Sequence, residues 1–233
     1  MAFNLRFFLA AVVLLAGVAP ALSQRDCILD RCADQKPSPA RTSAVAPANF
    51  DFYVLALSWS PSYCEAHAGG GEQCAPGADR GFVLHGLWPQ YERGFPQNCG
   101  FGAAPSRPAL DRARGVYPEE GLARYEWRKH GACTGLSPGD YFDAAARAKA
   151  LVAAPQRLNA LSRDATLGGN EIERAFLEAN PRLRPGMLSV VCDGGALQEV
   201  RVCLTKDLRE FHACPELSRR SCRARAIRVP APR

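Results

Sequence analysis

Apolar residues along this chain change their spacing several times, and each change marks an element. Residues 50–59 (FDFYVLALSW) are almost continuously apolar and aromatic, the pattern of a central strand. Gly81 to Trp88 is a second strand candidate, bounded by Gly81 and Pro89. Pro118-Glu119-Glu120 predicts a helix start, with proline in the first turn and acids at the positive end of the dipole. That helix runs to Gly131, a natural stop. Ser137-Pro138-Gly139-Asp140 opens a second helix through an alanine-rich stretch to Pro155, and Asn170 caps a third that ends before Pro181. The run SVVC-DGG-ALQEVRVCL reads as two strands joined by the tight turn Asp193-Gly194-Gly195. Strands early and late with helices between them predict an α+β domain.

The flanks read differently. Arg6, the apolar run Phe7 to Val18 and the small residues Ala21-Leu22-Ser23 predict a signal peptide over residues 1–23, cleaved near Ser23. The apolar run is short for a membrane span and is soon followed by prolines; an uncleaved anchor is the alternative. A periplasmic or secreted protein without stable membrane association is therefore expected. Residues 24–48 hold a short Cys27/Cys32 segment and a linker rich in Pro, Ala and Ser. The folded domain is expected over 49–222, followed by a basic tail, 223–233, without a core-forming pattern.

Composition sharpens this picture at two points. The ten cysteines (Cys27, Cys32, Cys64, Cys74, Cys99, Cys133, Cys192, Cys203, Cys214 and Cys222) are even in number and lie after the predicted cleavage point, which implies five disulfides. Structural zinc usually needs a CxxC spacing, and none occurs. The formal charge of +6, with many arginines near the end of the chain, suits a polyanionic partner, although a charge run is also the mark of a solvated tail.

Four histidines are present. His67 among glycines and His212 in a cysteine-bounded loop read as surface groups. His85 stands in the middle of the apolar stretch Phe82-Val83-Leu84-His85-Gly86-Leu87-Trp88-Pro89, where a titratable group costs free energy unless something compensates it. A buried histidine bonded to backbone is the plain alternative. In Tyr125-Glu126-Trp127-Arg128-Lys129-His130, Glu126 and His130 share one helix face and Lys129 borders it. A solvated ion pair is the alternative there, but Trp127 and Cys133 suggest an anchored helix.

RNA cleavage needs a base for the 2′-hydroxyl, an acid for the leaving 5′-oxygen and positive charge at phosphorus. Two histidines can hold opposite protonation states near neutrality, and a lysine can stabilise the extra negative charge. The segments HGLWP (85–89) and EWRKHGAC (126–133) resemble the two signature segments of the ribonuclease T2 family. LALSWSPSYC (55–64) and ALQEVRVC (196–203) are similar to its first strand and a late strand, so the resemblance covers about 50–222.

This resemblance implies a disulfide-stabilised α+β fold with a central, mainly antiparallel sheet and helices packed against it. It implies a metal-independent, cofactor-free endoribonuclease that forms 2′,3′-cyclic phosphates, then 3′-phosphates, with low base specificity. RNA but not DNA is the expected partner, and a monomer the expected state. His130 is implied as general base, His85 as general acid, and Glu126 and Lys129 as stabilisers of the pentacovalent phosphorus. Trp88 is implied to stack a base, with core packing as the other reading. Tyr125 stands where many members have a phosphate-binding histidine, Gln90 where some have an acid that reads adenine, and Ala132 replaces a small hydroxyl residue. The implied pairings are Cys64–Cys74, Cys99–Cys133, Cys192–Cys222 and Cys203–Cys214, leaving Cys27–Cys32. Two other functions compete: a metal-dependent hydrolase using His85, His130 and Glu126 as ligands, which Lys129 disfavours, and a non-catalytic relative, which retention of both histidines disfavours.

Overall fold

A computed structural model describes residues 49–67, 69–100 and 103–233; the predicted leader, linker and Cys27–Cys32 pair lie outside these residues. In chain order the elements are β1 (Phe52–Trp59), α1 (Ser60–Ala66), β2 (Phe82–Gln90), α2 (Arg107–Ala113), α3 (Glu120–Lys129), α4 (Pro138–Leu151), α5 (Gln156–Asn159), β3 (Ala165–Leu167), α6 (Gly169–Ala179), β4 (Leu188–Asp193), β5 (Ala196–Thr205), α7 (Pro215–Ser218) and β6 (Ile227–Val229). The sheet runs β2-β1-β5-β6-β3, with β4 also paired to β5. Every pairing is antiparallel except one parallel contact between β5 and β6. The chain is thus α+β around a mainly antiparallel sheet.

Strand alternation divides β1 between two clusters. Tyr53, Leu55, Leu57 and Trp59 join the main core with Tyr141 and Phe142 of α4 and Phe176 of α6. Phe52 and Val54 belong to a smaller cluster with Cys203 and Cys214, against which Trp88 and Leu217 pack. Each large aromatic in the main core contributes about 1.5–3 kcal/mol by leaving water. On α4, Ala144, Ala145 and Ala148 are buried, which allows close approach of neighbouring elements. The Ser137 hydroxyl caps α4 by accepting from the Asp140 N–H. The tight turn between β4 and β5 forms at Gly194 and Gly195, both with positive φ, which glycine adopts without steric cost.

Three expectations need correction. The last eleven residues are not a featureless tail: Ile227 and Val229 of β6 are buried, and the Trp59 indole donates to the Pro230 carbonyl at 2.9 Å. The alternation Ile-Arg-Val is too short to stand out among arginines, and only pairing with β3 and β5 makes it a strand. The third helix begins at Gly169 with Gly168 as its cap, because the Glu171 carboxylate turns back to accept the Gly168 N–H at 2.6 Å. The second helix stops at Leu151, ahead of Pro155, and the elements α1, α2 and β3 carry too little periodicity to have been predicted.

Four disulfides form: Cys64–Cys74, Cys99–Cys133, Cys192–Cys222 and Cys203–Cys214. They are the pairings the family resemblance implies within the described residues. Cys99–Cys133 ties the segment after β2 to the turn after α3, and the Asn98 N–H donates to the Lys129 carbonyl beside it. The end of α3 is therefore fixed against β2, the two elements that carry the histidines.

Candidate active site

A groove of about 570 Å³ is lined by Phe52 and Val54 of β1, by His85, Trp88 and Gln90 of β2, and by Glu126, Lys129 and His130 at the end of α3. Its size falls among those of small-ligand sites, about 300–1,000 Å³. A β-bulge explains how β2 supplies this lining. Leu55 pairs with Leu87 and Ala56 with Gly86, but Leu57 pairs with Leu84, so His85 is the extra residue. In an unbroken strand, residues three apart point to opposite faces. Here the bulge lets Leu84 and Leu87 both enter the core while His85 and Trp88 both face the groove, their rings 5.2 Å apart.

Helix α3 turns Ala123, Glu126 and Trp127 inward, and the Trp127 indole donates to the Ala103 carbonyl. Glu126 is only 1% exposed. Its Oε2 accepts from the Trp88 indole at 2.7 Å, and its Oε1 lies 3.6 Å from His85 Nε2 with no hydrogen bond of its own. Gly86 makes this approach possible, since a Cβ there would stand 2.0 Å from Glu126 Oε2. His130 follows the helix as its C-cap, 4% exposed, with its ring 5.2 Å from that of Trp88. Its Nδ1 is buried and makes no hydrogen bond within the protein. Gly131 must be glycine because a Cβ would strike Trp127 at 2.5 Å.

The surroundings drive the two imidazoles apart in basicity. Burial is the largest influence on His85 and would lower its pKa. The hydrogen bond and charge of Glu199 and the charge of Glu126 outweigh it, against Arg201, so the pKa lies above its ordinary value. For His130, burial and then the charges of Lys129 and His85 all act downward, to about 3. Burial raises Glu126 to about 7 despite His85, the Trp88 hydrogen bond and Lys129. Above pH 3 and up to the ordinary imidazole pKa of 6.5, one imidazole is therefore neutral and the other cationic, the division that acid–base catalysis needs.

His85, Trp88, Gln90, Glu126, Lys129 and His130 thus meet in one groove, although the two histidines are 45 positions apart in sequence and α2 intervenes between β2 and α3. Gln90 donates its amide to the Pro89 carbonyl. Tyr125 does not line the groove; it is exposed and accepts from Lys129 Nζ at 2.9 Å. His67 is exposed, whereas His212 is half-buried, stacked on Phe52 and 3.2 Å from Glu92. Two groove neighbours escaped the sequence reading. Glu199 Oε2 lies 2.6 Å from His85 Nδ1, and Arg201 Nε donates to Glu199 Oε1 at 2.6 Å. The signal was there: two opposite charges at i and i+2 of an otherwise apolar strand must share a face.

Comparison with known proteins gives a consistent result. The model of the Ribonuclease T2 family matches residues 50–214. A ribonuclease of Aeromonas hydrophila is 35% identical over 178 residues, spanning 72% of this chain and 77% of that protein. Intracellular ribonuclease LX of Solanum lycopersicum is 27% identical over 189 residues, spanning 73% and 80%. Among solved structures, an RNase-related protein from Calystegia sepium superposes with a TM-score of 0.63 at 22% identity, covering 79% of this chain and 98% of that one. RNase NT, solved in complex with 5′-AMP, gives 0.61 at 24% identity, covering 78% and 99%. At these identities the solved structures speak to fold alone.

Proposed function

The chain belongs to the ribonuclease T2 family and is an endoribonuclease of that type, and from this premise we propose that it cleaves single-stranded RNA by metal-independent transesterification. The observation that carries the mechanism is the convergence of two imidazoles on one groove, each ring 5.2 Å from that of Trp88, in surroundings that favour the cation of His85 and the neutral form of His130. Neutral His130 takes the proton of the 2′-hydroxyl, whose oxygen attacks phosphorus. Cationic His85 gives its Nε2 proton to the departing 5′-oxygen. One P–O bond forms and one breaks, leaving a 2′,3′-cyclic phosphate and a free 5′-hydroxyl. Water then opens the ring with the histidines in exchanged roles, giving a 3′-phosphate.

Lys129 and Glu126 act on the phosphoryl oxygens. With a pKa near 7, Glu126 is largely a neutral acid at lower pH, and its free Oε1 can then donate a hydrogen bond where charge accumulates. Tyr125 orients Lys129 without adding charge. Trp88 serves a base by stacking, which accepts any base and fits low specificity, while its indole N–H holds Glu126. Gln90 contacts the base beside it. DNA lacks the attacking hydroxyl and is not a substrate.

The Lys129 ammonium beside His130 and Glu126 would repel a cation, which favours this reading over a metal-dependent hydrolase. The domain boundaries, export to the periplasm or medium after loss of residues 1–23, and a monomeric state complete the proposal. No described helix is long and apolar enough to cross a membrane. The test is digestion of RNA homopolymers in excess EDTA with product analysis, beside His130→Ala. Cyclic phosphates are expected first, and the variant should lose about 10²–10⁴-fold in rate. Loss of activity in EDTA, equal cleavage of DNA, or an unimpaired His130→Ala would refute it.

A further inference from the structure

Glu199 lies on β5, two strands from His85 across β1. In the pairing register, small residues lie between the two: Ala56 pairs with both Gly86 and Arg201, and Ser58 with both Val83 and Glu199. Glu199 is 5% exposed, yet both its oxygens are engaged, Oε2 with His85 Nδ1 and Oε1 with Arg201 Nε, each at 2.6 Å. A buried carboxylate is costly unless it is paired and hydrogen-bonded. Here both conditions hold, and one of the partners is a group through which the reaction runs. Arg201 also lies over the Trp88 ring at 5.1 Å, so Glu199, Arg201, Trp88 and His85 hold one another in place.

We propose that Glu199 is the positioning residue of His85. Its carboxylate, fixed by Arg201, takes the Nδ1–H hydrogen bond and so presents Nε2–H to the leaving oxygen. The inference rests on the reading of His85 as general acid. In the catalytic step the Nδ1 proton stays shared with Glu199 while the Nε2 proton goes to the 5′-oxygen, so Glu199 itself neither gains nor loses a proton. The charged groups that face His85 are Glu199 and Glu126, which favour its cation, and Arg201, which opposes it, while the titratable ring of His130 is neutral above pH 3. Burial pushes the Glu199 carboxyl up, but His85 and Arg201 together hold it below its ordinary value. It is therefore an anion across the range in which an imidazole ordinarily titrates.

Glu199→Gln removes the charge and keeps the shape and an acceptor oxygen. Its kcat/KM is measured against pH on two substrates: a dinucleotide, whose alkoxide leaving group needs a proton, and a nucleoside 3′-(nitrophenyl phosphate), whose phenolate does not. On the dinucleotide at pH 7 a loss of about 10–100-fold is expected, part of the 10²–10⁴ that a general acid supplies. The alkaline limb should move to lower pH, the loss on the aryl ester should be several-fold smaller, and added to His85→Ala the substitution should cost nothing further. A uniform loss on both substrates with an unmoved limb, or no loss at all, overturns the assignment. His85→Ala separates the two claims: a loss selective for the dinucleotide upholds the acid, and an equal loss on both substrates removes the acid and this proposal with it. Should Glu199→Gln unfold, the unmutated enzyme still decides. A strongly deshielded Nδ1 proton on His85 in its NMR spectrum supports the pairing, and a His85 protonated on Nε2 alone refutes it.

Discussion

Replacement of Gly86 by alanine probes the contact on which Glu126 depends. A Cβ at this position would lie 2.0 Å from Glu126 Oε2, 2.7 Å from its Cδ and 2.4 Å from Trp88 Nε1. None of these separations is tolerable, so the carboxylate or the indole has to move. The Gly86 φ is not positive, which makes the conflict one of space and not of backbone strain. Moving either group breaks the 2.7 Å indole–carboxylate bond and leaves a buried polar atom unpaired. That costs about 1–3 kcal/mol of stability, or roughly 2–12 °C in Tm for a domain of this size. Catalysis should suffer more, because a displaced charge-stabilising donor typically costs about 10²–10³ in kcat. Thermal unfolding and kcat/KM on a dinucleotide in EDTA measure the two effects. Full activity together with an unchanged Tm would mean that the carboxylate has room to retreat, and the geometry assigned to Glu126 would be wrong.

Two further predictions follow from the site and its supports. The pH profile of kcat/KM should fall on the acid side near pH 3, where His130 gains a proton, and on the alkaline side above the ordinary imidazole pKa, where His85 loses one; an acid limb at pH 6–7 would show that His130 is not buried as described. Replacing Cys99 and Cys133 by serine frees a loop closed across 34 residues and should remove about 3–4 kcal/mol, roughly 6–16 °C in Tm. It should also lower activity at temperatures where the fold persists, because α3 then loses its tie to the segment after β2; a variant with native Tm would refute the anchoring role.

Much of this molecule was legible in short stretches of sequence. The apolar run of β1, the Asp-Gly-Gly turn between β4 and β5, and the Ser137-capped start of α4 follow from local periodicity and backbone preference, which act over a few residues, whereas α3 starts at Glu120, after Pro118, and has no side-chain cap. The same local reading singled out His85 and His130, because a titratable side chain in an apolar strand and another beside a lysine at a helix end are visible without a fold. Elements of three or four residues were not legible: β6 is a strand only because β3 and β5 stand beside it.

Tertiary structure decided what those histidines can do. The bulge at His85 comes from how β2 registers on β1, and without it His85 and Trp88 would face opposite ways. The partner that fixes His85 is 114 residues distant, and no local pattern links the two. Protonation follows the same logic. Identical side chains reach opposite charge states because one imidazole is buried against cations and the other against carboxylates, and burial and neighbours exist only once the chain has folded.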